Sequence, residues 1–322
     1  MFCSTIIPTI GRSTLIRAVQ SILDQNFQDD DFEIIVVNDS GSPLAPAAWQ
    51  QSEKVRVLNT NRHERCVARN AGAAIAKGDY LHFLDDDDWL WPDAFKNFWK
   101  LTQTAQASWI YGATQLVDRE GKSIINLHHN LQGNCFIQLM AGEWLPLQSS
   151  LIESKAFFAV GGFNPTIPGA EDIDLARRVA LAGDVAGMQM IVSSVGMGEE
   201  NSTTNYGRSL LLARWAREDI MNQANAFKRM RQSANNAYWN GRIIRAYLTS
   251  AVWNLRQLRL TTTFSRSLYA LASLILTMSH FPTKSYWRAI SKSHESQVFL
   301  QGFATAEQPI QRRVIATISK NL

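Results

Sequence analysis

Apolar and polar positions over residues 1–204 switch repeatedly between two periods. Short apolar runs at Ser4-Thr5-Ile6-Ile7, Glu33 to Val37 and Val55 to Leu58 read as buried strands. Between them Leu15, Ile16, Val19, Ile22 and Leu23 recur at helical spacing, and helix formers run from Arg65 to Ala76 until Gly78 stops them. A fourth strand, Tyr80 to Leu84, ends abruptly in four consecutive carboxylates, Asp85 to Asp88. Pro92 opens a helix through Ala94, Phe95, Phe98 and Leu101. Trp109 to Val117, the turn at 118–121 and Ser123-Ile124-Ile125 predict a hairpin. A short strand at Ser149 to Ile152 and a turn at Gly161-Gly162 lead into a helix from Glu171, closed by Gly183. Strands alternating with helices predict a doubly wound, mostly parallel α/β sheet. In it Asp39 and Asp85 to Asp88 both end strands on the edge where such sheets bind ligands.

After Asn205 the strand signals vanish. Leu210 to Met230 and Ile243 to Leu260 fit helices, the second with Ile244, Tyr247, Leu248, Ala251, Val252, Leu255 and Leu258 on one broad face and Arg245, Arg256 and Arg259 among the polar positions. Leu268 to Met278 is the most apolar run, yet shorter than the ~20 residues of a membrane span, so it reads as a buried or interfacial helix.

Length and charge sharpen this division. A chain of 322 residues with 46% hydrophobic content suits two domains at roughly 150 residues each. Residues 1–204 hold 15 Lys/Arg against 24 Asp/Glu, whereas 205–322 hold 17 against 4, so a net charge of +4 conceals an acidic part and a basic one. The expectation is an α/β domain at 1–204 and a basic helical region at 205–322 that meets an anionic surface or partner. Three cysteines, Cys3, Cys66 and Cys135, never in a CxxC pair, argue against a disulfide framework and a zinc site. With a strand almost at the first residue and no signal-peptide pattern ahead of it, a cytoplasmic protein is expected.

Four adjacent carboxylates repel unless something screens them, which suits Mg²⁺ or Mn²⁺ held by one or two of them and completed by phosphates. A solvated acidic loop is the alternative. Asp39 lies in Asn-Asp-Ser-Gly, good turn chemistry, and Glu171, Asp172 and Asp174 stand where helix-capping acids are common.

Ile6-Ile7-Pro8-Thr9, Val36-Val37-Asn38-Asp39-Ser40-Gly41-Ser42, Cys66-Val67-Ala68-Arg69-Asn70-Ala71-Gly72, Gly78-Asp79-Tyr80 through Asp88, and Gly161-Gly162-Phe163 followed by Glu171-Asp172-Ile173-Asp174-Leu175 together resemble the inverting glycosyltransferases of family 2, which have the GT-A fold. The resemblance runs to about residue 200 and leaves the carboxyl-terminal third outside it. It implies that Pro8, Thr9 and Asp39 line the nucleotide base pocket, Asp39 accepting from the base, and that Arg69 lies near the donor with Arg12 and Arg65 as further diphosphate candidates. Asp85 and Asp87 match the D-x-D motif, Asp85 implied at the ribose or the metal's water shell and Asp87 on the cation, with Asp86 and Asp88 able to share the task. Glu171-Asp172 matches the acidic pair that supplies the general base, assigned here to Asp172, and Trp144 is a candidate for stacking on a sugar. The family's His or Arg after the base is missing from Met197 to Asn205 and first returns as Arg208.

The expected activity is therefore metal-dependent, inverting transfer of a sugar from a nucleotide-diphosphate sugar, a UDP-sugar first, to a carbohydrate or glycolipid acceptor in polysaccharide or glycolipid assembly. A nucleotidyltransferase or phosphatase, or a non-catalytic sugar-nucleotide or cation binding module, are the rivals. For 205–322 the expectation is peripheral attachment to the inner face of the membrane, against packing on the core or on a second copy. No nucleic acid is expected, since no recognised module accompanies the charge.

Overall fold

The computed structural model describes residues 1–27, 32–118, 120–167, 169–196, 206–294 and 296. Nine strands, β1 (Cys3–Thr9), β2 (Phe32–Asn38), β3 (Val55–Asn59), β4 (Tyr80–Phe83), β5 (Trp89–Leu90), β6 (Trp109–Val117), β7 (Ser123–Leu127), β8 (Ser150–Glu153) and β9 (Val185–Gly196), form one sheet. Its order is β3-β2-β1-β4-β8-β6-β9-β5, with β7 paired to β6. The amino-terminal half, β3 to β4, is parallel throughout. Beyond β4 the sheet is mixed: β8 runs antiparallel to both β4 and β6, and β6 runs parallel to β9.

Both faces of β1 and β2 are covered, which explains why their sequences are continuously apolar rather than alternating. Ile6, Ile35 and Val37 point to one side, against Cys66, Ala68 and Ala73 of α2 (Arg65–Ala74). Ile7, Ile34 and Val36 point to the other, against Leu15, Ala18, Val19 and Ile22 of α1 (Leu15–Leu23). Contact between α2 and the sheet is close enough that a Cβ on Gly72 would lie 2.5 Å from Ile6 and 2.9 Å from Val37. Only glycine fits there without pushing the helix outward. The layers continue with α3 (Ala94–Thr104), α4 (Phe136–Ala141), α5 (Ser154–Ala159) and α6 (Glu171–Ala182). The expected hairpin is β6 with β7, and the three cysteines are buried and free.

The helical region holds α7 (Tyr206–Met221), α8 (Ala226–Ser233), α9 (Ala237–Arg256), α10 (Leu260–Leu276) and α11 (Lys284–Ser291). Two predicted helices have different limits. The stretch expected as one helix to Met230 is α7 and α8 with a break after Met221, and the helix expected to reach Leu260 stops at Arg256, where Leu258 takes the left-handed conformation at φ 57°. Asn236 starts α9 by accepting from the Trp239 amide. Ile220, Met221, Ala226, Met230, Ile243, Tyr247 and Ala270 join the same buried cluster as Ile6 and Ile35. A buried polar group crosses the helices: Arg266 Nε donates to Ser250 at 3.1 Å and Asn254 to Glu218 at 3.0 Å, so the Arg266 and Glu218 charges sit together. Among the described residues no helix is long and apolar enough to cross a membrane.

Candidate active site

Because β1, β2 and β4 are parallel neighbours, their carboxyl ends share one edge of the sheet. Thr9 ends β1, Asp39 follows β2, and Asp85 to Asp88 follow β4. Pro8 lies within β1, half-buried and opposite Val37.

The four aspartates divide by orientation. Asp86 turns to β1, accepting from Thr9 Oγ1 at 2.5 Å and from Arg12 at 2.9 Å. Asp85, Asp87 and Asp88 converge instead, with one carboxylate oxygen of each lying within 4.8 Å of the others. Asp88 is buried and accepts from the Gly196 amide at 3.0 Å, while Arg12 also reaches Asp87 at 3.3 Å. Burial and then the charge of Asp85 push the carboxyls of Asp87 and Asp88 up, Asp88 well above the usual range. Two carboxyls that resist ionisation beside a third carboxylate form a set of hard oxygen donors whose repulsion a divalent cation would relieve, and these donors fit Mg²⁺ or Mn²⁺.

Arg69 ties this cluster to the far acidic pair. Only 3% exposed, it donates to Asp85 at 2.5 Å and to Glu171 at 3.4 Å. Burial opposes its charge, but Asp85 and Glu171 outweigh burial and keep it protonated. In return Arg69 holds Asp85 below the usual carboxylate range in spite of burial. Arg69 is thus a buried bridge, not an arginine on the outer surface of α2. Arg65 completes the shell around Glu171, its Nε at 2.5 Å, and the Gly169 amide donates to the same carboxylate at 2.8 Å.

Glu171 is therefore buried and fully engaged, whereas Asp172, the next residue on α6, is half-buried and, among the described residues, accepts a hydrogen bond from the Ile173 amide at 2.8 Å. Burial and the adjacent Glu171 charge raise the Asp172 carboxyl. A carboxylate with a free lone pair and a raised pKa is suited to accept a proton near neutrality. Asp174 is paired with Arg178 at 2.6 Å.

Asp39 shapes the loop beyond β2. It accepts from Thr60 at 2.6 Å, the Arg62 amide at 3.1 Å and the Glu64 amide at 2.5 Å. Burial would raise its pKa, but these hydrogen bonds and one from the His63 backbone hold it below the usual range. These four donors fix the carboxylate's orientation at the end of β2. Glu64 then caps α2 by accepting from the Cys66 and Val67 amides. Trp144 packs edge to face on His129 at 4.5 Å beside Leu116, Ile125 and Leu127. The Met197 to Asn205 stretch, expected near the phosphates, lies outside the described residues, as does the Arg208 side chain.

Gln148, in the loop expected from sequence to bear on donor-sugar selectivity together with the acidic cluster, donates to Asp85 at 3.2 Å. Other contributors escape sequence reasoning: Arg17 stacks on Trp89 at 3.7 Å and donates to the Asp87 carbonyl at 3.0 Å. Asn70 clamps the Gly161-Gly162-Phe163 turn, exchanging two hydrogen bonds with the Phe163 backbone at 2.8 and 2.9 Å. Gly162, at φ 67°, is in the left-handed region this turn requires. The only sequence signal for that clamp is that Arg69-Asn70 and Gly161-Gly162-Phe163 occur in the same set of motifs.

Comparison with known proteins agrees with this geometry. An uncharacterized glycosyltransferase of Rickettsia felis is 25% identical over 198 residues, 60% of this chain and 32% of that protein. One from Haemophilus influenzae is 26% identical over 180 residues, 55% of this chain and 61% of that protein. The poly(ribitol-phosphate) beta-N-acetylglucosaminyltransferase TarP of Staphylococcus aureus is 28% identical over 127 residues, 38% of each chain. The chain thus spans about a third of the first of these relatives and less than two thirds of the others. In fold it is similar to residues 1–349 of S. aureus TarS, solved in complex with UDP-GlcNAc, with a TM-score of 0.60 at 12% identity over 87% of this chain and 92% of that one. Residues 4–164, half of the sequence and including β1, Asp39, Arg69 and the aspartate cluster, match the family model described as glycosyl transferase family 2, and the chain belongs to that family.

Proposed function

We propose that this chain transfers a sugar from a nucleotide-diphosphate sugar to an acceptor hydroxyl with inversion at the anomeric carbon. The observation that carries the reading is the Arg69 bridge, which joins Asp85 of the aspartate cluster on one side to Glu171, the neighbour of Asp172, on the other. A UDP-sugar is the favoured donor, because TarS, alike in fold, was solved with UDP-GlcNAc. An acceptor of carbohydrate or glycolipid class, met at the inner face of a membrane, is supported by TarP, whose name places it on a poly(ribitol-phosphate), and by the basic helical region 205–322.

In this reading Pro8, Thr9 and Asp39 line the base pocket, Asp39 accepting from the base. Arg12 lies beside the diphosphate. Asp85, Asp87 and Asp88 would hold Mn²⁺ or Mg²⁺, which when bound would neutralise charge on the departing diphosphate. Asp85, tethered by Arg69 and Gln148, stays ionised and orients its neighbours. Asp172 takes the proton of the acceptor hydroxyl as that oxygen bonds to the anomeric carbon, and the nucleotide leaves from the opposite face. Glu171, enclosed by Arg65 and Arg69, positions Asp172 and does not itself accept the proton.

Nucleotide release from a panel of nucleotide sugars, with and without Mn²⁺, tests this. Metal-dependent release with one donor preferred is expected. Release of pyrophosphate or inorganic phosphate would favour a nucleotidyltransferase or phosphatase, and tight binding without any release would favour a binding module.

A further inference from the structure

Leu255, Leu258, Leu260, Phe264, Leu271 and Ile275 are all between 51% and 83% exposed, and all lie on α9, on α10 or in the turn between them. Large apolar side chains scattered singly need no explanation, but a run of them on consecutive helices marks an interaction surface. On α10 the exposed positions 260, 264, 271 and 275 follow helical spacing, opposite the buried Arg266, Ala270 and Ser273. The turn itself is unfavourable as it stands. Leu258 combines the greatest exposure in the group with φ 57°, a conformation that leucine rarely adopts.

Charge identifies the partner. Arg256 and Arg259 alternate with Leu255, Leu258 and Leu260 through the turn, and Arg259 is stacked on Trp215 at 4.2 Å. Residues 237–291 contain seven Lys/Arg and no Asp or Glu. A cleft of about 440 Å³ beside α9 is lined by Arg214, Arg245 and Arg256 with Leu248 and Val252. A second copy meeting this face across a two-fold axis would set cations against cations. Residues 297–322 carry three basic side chains and one acidic, so they offer no complementary charge either.

We propose that the α9–α10 turn inserts into an anionic phospholipid bilayer, Leu258, Leu260 and Phe264 entering the acyl boundary while Arg256 and Arg259 meet lipid phosphates. Docking of this kind supplies the membrane setting of the reading above and is independent of its catalytic part. The full chain is sedimented with vesicles of phosphatidylcholine alone and of phosphatidylcholine mixed with phosphatidylglycerol. Binding to the mixed vesicles at low salt, lost as salt rises, is expected. Leu258→Asn suits the left-handed turn and so preserves the fold; with Phe264→Asn it should weaken vesicle binding on the order of 10-fold or more. Arg256→Glu with Arg259→Glu should abolish the preference for anionic lipid. Nucleotide release measured without vesicles should be unchanged in all of them, which separates failure of docking from failure of the catalytic reading. Absence of binding to anionic vesicles at low salt, or variants that bind as the unaltered chain does, would overturn the proposal. So would a dimer, seen by sedimentation velocity, that the same leucine and phenylalanine changes dissociate.

Discussion

Arg69 lies 2.5 Å from Asp85, and this ion pair, its arginine buried and its aspartate half-buried, joins the aspartate cluster after β4 to the acidic start of α6. With Glu171 on its other side, the guanidinium balances two carboxylates at once, a load it shares only at Glu171 with a second cation, Arg65. Breaking a buried pair by removing one partner leaves a stranded charge, which costs more than the pair is worth against an apolar replacement.

Arg69→Met should therefore destabilise the fold by about 1–3 kcal/mol. Urea denaturation checks this, and a loss below about 1 kcal/mol would mean that the two carboxylates find other partners. Arg69→Lys should recover part of the stability but not the double contact, since an ammonium lacks the planar fork.

Asp87→Asn and Asp86→Asn should differ in kind. Asp87 faces Asp85 and Asp88, so its loss should weaken Mn²⁺-dependent nucleotide binding, measured by calorimetry, and abolish transfer. Asp86 faces Thr9 and Arg12, so its loss should disturb the β1 loop while leaving the metal dependence of binding in place. Equal metal affinity in the Asp87 variant and the unaltered chain would remove Asp87 from the cation site.

His82 supplies a pH test of the fold. It is buried beneath the site, accepting from Thr5 and donating to the Gln148 carbonyl when neutral, and burial pushes its pKa down to about 4. The unfolded chain binds that proton from about pH 6.5 downward, so the His82 contribution is complete above this and is lost as pH falls toward about 4. Raised carboxyls at Asp86, Asp87, Asp88 and Asp172 act in the opposite direction, so the histidine effect is read as a difference. Stability of the unaltered chain relative to His82→Gln should fall by up to about 3 kcal/mol across that window. A constant difference would show that His82 is not held neutral.

Activity should have its own acid limb. With Asp172 raised by burial and Glu171, kcat/KM should decline on acidification with an inflection above the ordinary carboxylate value of about 4. A profile flat down to about that pH would point to a base of ordinary acidity.

Much of this site is legible in the sequence because its residues follow local rules. Asp39 and Asp85 to Asp88 had to stand at strand ends once the apolar runs were read as strands, and parallel order then put them on one edge. What escaped was pairing at long range. Nothing local tells Asp86 from Asp88, since the choice depends on Thr9 reaching one and Gly196 the other across more than seventy residues. Nor does anything local show that Arg69 is buried, since that depends on Glu171, over a hundred residues away, meeting it. The break in the long carboxyl-terminal helix was hidden for a different reason. Leu258 is a helix former in a helical pattern, and only its left-handed backbone ends α9 there.

Asp172→Asn tests the central claim most directly, in a single-turnover assay of sugar transfer run beside calorimetric measurement of donor binding. The amide keeps the shape of the side chain but cannot take a proton. Donor affinity should be unchanged while transfer falls by roughly 10²–10⁴-fold. Transfer at the unaltered rate would contradict the assignment and move the base elsewhere.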